Sequence, residues 1–180
     1  NECAITGEVV ACLDRAFAGL VGSQGQVHLF DPVPLHTRYC QRQADLNPTL
    51  SHVFHINELA VGNQTITNTN PKQDSHKIAP GGLAIDAFSS TTLDDYVTTK
   101  QLSRVDFIKM DIEGFELDAI SGAAHTIRTL KPRLAISAYH KPDDFWTIPL
   151  KLKSLNPTYT FYFGHHSPIG WESVIYAVQH

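Results

Sequence analysis

The chain has 180 residues, 42% of them hydrophobic and 18% charged, which suits one folded domain and excludes wholesale disorder, a coiled coil and a collagen-like repeat. Fourteen Lys+Arg against eighteen Asp+Glu leave a net charge of −4 with no basic block, which argues against a nucleic-acid surface. Apolar runs of a handful of residues fall far short of the roughly 20 a membrane span needs.

In chain order, Val9, Val10, Leu13, Phe17, Leu20 and Val21 recur at helical spacing, ended by Gly22 and Gly25. Gln26 to Asp31 reads as a strand closed by Pro32 and Pro34, Leu35 to Leu46 as a helix stopped by Asn47-Pro48, and His52 to Val61 as a further strand. The polar stretch from Gly62 to Gly82 reads as a hairpin or long loop, with a short strand at Ala84 to Ser89, so that 63–90 forms an insertion. A helix starts at Thr92, with Asp95 three residues on, and runs to about Lys100. Val105 to Asp111 is the clearest strand, Glu116 to Leu130 a helix, Arg133 to Tyr139 a strand and Asp143 to Leu155 a helix that tolerates Pro149. Thr158 to Phe163 and Ser173 to Val178 close the chain as a strand pair, antiparallel because a parallel crossover needs a dozen or more residues.

Strands alternating with helices predict an α/β fold, a Rossmann-like parallel sheet with helices on both faces. Ligands of such sheets lie across the carboxyl ends of the strands. Four polar groups fall there: Asp31, Asn57 with Glu58, Asp111 with Glu113, and Tyr139-His140-Lys141. Asp31 suits the hydroxyls of a ribose, although a loop carboxylate capping the next helix explains it equally well. Gly7 and Glu8 lead into the first helix, where a glycine lets the backbone approach an anionic group, against the simpler reading of a helix start. Glu113 and Glu116 sit where a helix N-terminus favours negative charge in any case, which leaves Asp111 as the carboxylate in most need of a function. His140 titrates near neutral pH and could take a proton from an alcohol. His165 and His166 could reach the same rim, and three histidines there could instead hold a metal, or all be loop residues.

Ser90 to Tyr96, Val105 to Glu116 (with Lys109-Met110-Asp111-Ile112-Glu113-Gly114-Phe115-Glu116), Leu134 to Pro142 and Trp171 to Ala177 together resemble the FkbM-type methyltransferases, and Phe30-Asp31-Pro32 fits the same pattern upstream. The resemblance covers essentially the whole chain. It implies a class I methyltransferase fold, S-adenosyl-L-methionine as methyl donor, and O-methylation of a hydroxyl on a sugar, glycan or natural product. It also implies that Asp31 binds the ribose hydroxyls, that Asn57, Glu58 and Ala60 lie near the adenine, and that Asp111 and Glu113 floor the active site.

The pattern departs at the first motif, normally an acid, a glycine two residues later and a second glycine four beyond. Asn1 and Cys3 stand at the acid and first glycine, and only Gly7 and Glu8 fit. On this alignment the first, central strand is missing, the chain is truncated at its amino end, and a Cys at the glycine position weakens donor binding. Three cysteines without a CxxC pair and no apolar leader fit a reduced, cytoplasmic protein. Two further readings stay open: a degenerate methyltransferase-like module with a binding role, and a nicotinamide oxidoreductase, disfavoured by the absence of a three-glycine fingerprint.

Overall fold

The computed structural model describes residues 18–67, 88–168 and 171–180, and the backbone of 3–7. Nine strands are assigned among them: β1 (Cys3–Gly7), β2 (Gln26–Phe30), β3 (Phe54–Asn57), β4 (Ala60–Val61), β5 (Ser90–Thr91), β6 (Phe107–Met110), β7 (Arg133–Ser137), β8 (Thr160–His165) and β9 (Ser173–Val178). The helices are α1 (Pro34–Asp45), α2 (Leu93–Thr99), α3 (Glu116–Ser121), α4 (Ala124–Leu130) and α5 (Asp144–Leu155).

Seven strands form one sheet in the order β3-β2-β1-β6-β7-β9-β8, parallel throughout except for β9, which runs antiparallel to both β7 and β8. The expected antiparallel final pair is therefore present. The expected missing strand is not: Cys3–Gly7 is itself the central strand, paired with β2 on one side and β6 on the other. A five-residue strand paired on both sides in a parallel sheet needs no alternating pattern to announce it. With Cys3 inside β1 rather than in the turn after it, the crowding argument against donor binding falls away.

Successive residues of β2 serve opposite faces of the sheet. Val27 and Leu29 join Ala18, Cys40 and Val53 in a small cluster, while Phe30 joins the main core with Tyr96 of α2, Ile108 and Met110 of β6, and Ile148 and Leu152 of α5. This is the period-two alternation of a strand covered on both sides. Strand order reverses at β1, the chain running outward through β2 and β3 and then returning to place β6 on the other flank. The carboxyl ends of β1, β2 and β6 thus border the switch point, where open α/β sheets bind ligands.

Several boundaries differ from the sequence reading. The single strand expected over His52 to Val61 is divided into a 3-10 turn (Ser51–Val53), β3 and β4, and β4 leaves the main sheet to pair in parallel with β5. The helix expected over Glu116 to Leu130 breaks at Gly122-Ala123 into α3 and α4. A Cβ at Gly122 would overlap the carbonyl oxygen of Gly62, so that loop packs against bare backbone. Asp94 then caps the new helix, accepting from the N–H groups of His125 and Thr126, both at 2.8 Å. Thr92 caps α2 as expected, its hydroxyl accepting from Asp95 N at 3.0 Å. Most of the first helix predicted over Val9 to Val21 lies outside the described residues, as do 68–87 of the predicted insertion; residues 18–21 are helical and Gly22, at φ +68°, follows them.

Candidate functional site

The register fixes which residues meet at the strand ends. Asn57, Phe30, Gly7, Met110 and Ile136 lie in one row across β3, β2, β1, β6 and β7. One step beyond that row stand Glu58, Asp31 and Asp111, and two inter-strand spacings put the Asp31 and Asp111 backbones about 10 Å apart across β1. β1 ends at Gly7, which therefore stands at the carboxyl end of the central strand, between the tips of β2 and β6. Glu8, the other residue expected to contact the cofactor there, lies outside the described residues.

Asp31 is largely buried behind Pro32. Its Oδ1 accepts from Val33 N at 2.7 Å, and its Oδ2 accepts from His36 Nδ1 at 3.1 Å. Burial raises its pKa, opposed by the Val33 N–H and by His36. Two of the roughly four lone-pair sites on a carboxylate are thus engaged, and the remainder can accept from a diol. The neighbouring candidates are more constrained. Asn57 donates from Nδ2 to the carbonyls of Leu29 and His55, both at 2.9 Å, which ties β3 to β2 and leaves only its amide oxygen for a ligand. Glu58 accepts from Thr37 Oγ1 at 3.3 Å, and Ala60 N donates to Ser89 O at 2.9 Å.

The turn after β6 holds the densest polar cluster. Glu113 and Gly114 both have positive φ, +57° and +90°, which swings the chain from strand into α3 and drops Glu116 back beneath the strand tip. Glu116 is 1% exposed, and its Oε1 accepts from Ile112 N at 2.9 Å. His140, beyond β7, brings Nδ1 to 3.0 Å from the same oxygen and Nε2 to 3.6 Å from Asp111 Oδ1 and 3.7 Å from Glu113 Oε2. The short Nδ1 contact is an ion-pair approach without hydrogen-bond alignment. Glu116 Oε2 and both His140 nitrogens are buried with no hydrogen-bond partner. Burial by itself lowers the pKa of His140, but Glu116, Asp111 and Glu113 together outweigh it and hold the imidazole above its ordinary value.

Asp111 is anchored from both sides. The Tyr139 hydroxyl donates to its Oδ1 at 2.9 Å, and Lys109 Nζ lies 3.6 Å from Oδ2. Burial and then the Asp111 hydrogen bond push the Tyr139 phenol upward, so it remains a donor. Burial lowers Lys109, with Asp111 and Glu172 acting against it. Asp144 accepts from Lys141 N at 2.8 Å and closes the loop that carries His140.

The structure brings carboxylate oxygens of Asp111 and Glu113 within 3.7 Å of the His140 ring, with Tyr139 beside them as the strand-end grouping anticipated, and adds Glu116, which the sequence reading explained by the helix dipole alone. The i+5 position of Glu116 after the strand tip carried a signal that the helix-dipole explanation absorbed. His165 and His166 are engaged within their own hairpin, His165 Nδ1 with Ser173 Oγ at 2.9 Å and His166 Nε2 with the Tyr176 hydroxyl at 2.8 Å. Among the described residues the donor group tight enough for a metal is Asp111, Glu116 and His140 rather than a histidine trio. None of the described helices is long and apolar enough to cross a membrane.

The model of the methyltransferase FkbM domain matches residues 7–167. Among solved structures, the methyltransferase FkbM of Methylobacillus flagellatus KT superposes with TM-score 0.74 at 26% identity, covering 96% of this chain and 42% of that one. The chain thus spans less than half the length of that relative. A rRNA methylase of Clostridium thermocellum, described as putative, gives TM-score 0.58 at 12% identity, covering 98% of this chain and 86% of that one. Fibrillarin of Aeropyrum pernix, solved with natively bound S-adenosyl-L-methionine, gives TM-score 0.58 at 11% identity over 99% of this chain and 66% of that one. These last two likenesses establish the class I methyltransferase fold, and a fold shared with an RNA enzyme does not select between small hydroxyl substrates and RNA. No curated protein matches the sequence.

Proposed function

Because the chain belongs to the FkbM methyltransferase domain family, we propose that it transfers a methyl group from S-adenosyl-L-methionine to a hydroxyl of a sugar, glycan or natural product. The observation that carries this reading is the pair of strand-tip acids, Asp31 and Asp111, flanking the end of β1 at the switch point. The residues present fit the donor. Asp31 keeps acceptor capacity for a ribose diol, and the carboxylates along the strand tips suit a ligand carrying a sulfonium and an ammonium. When bound, the donor supplies an electrophilic methyl whose C–S bond breaks as the C–O bond forms.

Asp31 orients the ribose, and Glu58 and Asn57 border the adenine side. Asp111, fixed by the Tyr139 hydroxyl, presents a carboxylate to the acceptor hydroxyl and aligns it for in-line attack. His140, within 3.7 Å of both Asp111 and Glu113, receives the hydroxyl proton, with Asp111 as the second base. The ring reaches that state once it has itself released a proton, and its raised pKa makes it the stronger base when it does.

The test is incubation of the protein with S-adenosyl-L-methionine and a panel of hydroxylated sugars, followed by mass spectrometry for a product heavier by one methyl. His140→Ala is expected to lower kcat by about 10²–10⁴ if it is the base. A second reading, a non-catalytic binding module, is favoured by Asn1 and Cys3 where the sequence reading sets the acid and the glycine of the family's first motif. It predicts donor binding by calorimetry with no methylated product from any acceptor, including RNA.

A further inference from the structure

Three side chains of the cluster offer ligand atoms that all lie within 4.8 Å of one another: a carboxylate oxygen of Asp111, one of Glu116 and a ring nitrogen of His140. Proximity of acids alone would mean little. What points to a ligand is the state of the buried atoms. Glu116 is 1% exposed and its Oε2 has no partner, and the His140 side chain is 10% exposed with neither nitrogen in an aligned hydrogen bond. His140 Nδ1 has at least the ion-pair approach to Glu116, but Glu116 Oε2 and His140 Nε2 are left without a hydrogen-bond partner, which is costly, and native proteins rarely leave such atoms without an occupant.

We propose that Asp111, Glu116 and His140 form a divalent transition-metal site beyond the carboxyl ends of β6 and β7. Two carboxylates and one imidazole are a mixed oxygen–nitrogen set that suits zinc or manganese better than calcium or magnesium, which prefer oxygen alone. Three protein ligands leave at least one position open, the arrangement of a catalytic rather than a structural zinc site. The surrounding contacts supply the outer support such ligands need. Ile112 N fixes Glu116 Oε1, and the Tyr139 hydroxyl fixes Asp111 Oδ1 through one lone pair and leaves the other available. Lys109 faces the site through Asp111, with Glu172 acting on it as well, and Lys141 Nζ lies near Gly114 on the other side of the turn.

The inference rests on the methyl-transfer reading only for its consequence. A metal held here would leave its open position to the acceptor hydroxyl and lower that hydroxyl's pKa. His140 and Asp111 would then serve as ligands rather than as bases, and Glu113, the exposed carboxylate 3.7 Å from His140 Nε2, would take the proton.

Binding is tested without any turnover. Zinc titrated into the metal-free protein by calorimetry is expected to give one site per chain, and cobalt(II) a visible absorption band that zinc abolishes. Asp111→Asn, Glu116→Gln and His140→Ala should each weaken the site at least tenfold, with circular dichroism showing that the fold is kept. His166→Ala, outside the cluster, should leave it unchanged. Absence of a site, or a site insensitive to all three substitutions, overturns the proposal. Methyl transfer is then measured with and without a chelator. Zinc binding without transfer under any condition leaves the site standing and removes the enzymatic reading, whereas transfer by a protein that binds no cation removes the site and leaves the enzyme.

Discussion

Acid should destabilise this fold through His28, and the structure sets the size of the effect. The ring sits in β2, 1% exposed, where Nε2–H donates to Gln26 Oε1 at 3.0 Å and Nδ1 accepts from the Tyr96 hydroxyl at 2.8 Å. His55 stacks on it at 4.5 Å. Burial, then the nearby charges of His55 and Lys100, bring its pKa from 6.5 down to about 4. A histidine depressed in the folded state contributes its full stability above the unfolded value and loses it as pH falls below 6.5, because the unfolded chain takes up the proton first. Protonating that site forfeits about 3 kcal/mol by the time the medium reaches pH ~4, a large fraction of a domain's usual 5–15 kcal/mol. Urea denaturation from pH 7.5 down to about 4.5 should show this loss in the native protein and a shallower one in His28→Gln. His55, whose pKa burial also lowers, adds in the same direction. Identical pH slopes in native and variant proteins, or a His28 proton resonance titrating near the free imidazole value, would refute the account.

Other outcomes follow from the same geometry. Asp31→Ala should weaken S-adenosylhomocysteine binding at least tenfold by calorimetry, because the carboxylate that remains able to accept from a ribose is gone; unchanged affinity would place the ribose elsewhere. Gly122→Ala forces a methyl against the Gly62 carbonyl and should cost about 1–3 kcal/mol in thermal or urea denaturation, with a neutral result showing that the loop yields. Asp94→Ala removes the cap from α4, which accepts two backbone N–H groups, and should cost about 1–2 kcal/mol, whereas Asp94→Asn should recover part of it.

Much of the fold was legible because each local signal agreed with the tertiary answer. Val27 to Phe30 and Phe107 to Met110 are short buried runs closed by turn residues, and the Thr92 cap and the Asn47-Pro48 stop fall where the helices begin and end. The failures share a cause. Cys3–Gly7 has nothing in its own five residues to mark a central strand; its place is decided by backbone partners from β2 and β6, both distant in the chain. The break at Gly122 is likewise set from outside, by the approach of Gly62 across the fold.

The site divides along the same line. Local sequence was enough to show that acids end the strands, since Asp31 and Asp111 directly follow the short runs of β2 and β6, and that His140 lies just past another strand. Only the tertiary structure decided that Glu116, explicable locally by the helix dipole, turns inward to within 3.0 Å of His140. That contact depends on positive φ at Glu113 and Gly114 and on the parallel pairing of β6 with β7, which sets residues 24 or more positions apart side by side. Chain-local chemistry chooses which residues stand at a strand tip; packing chooses which of them share one buried space.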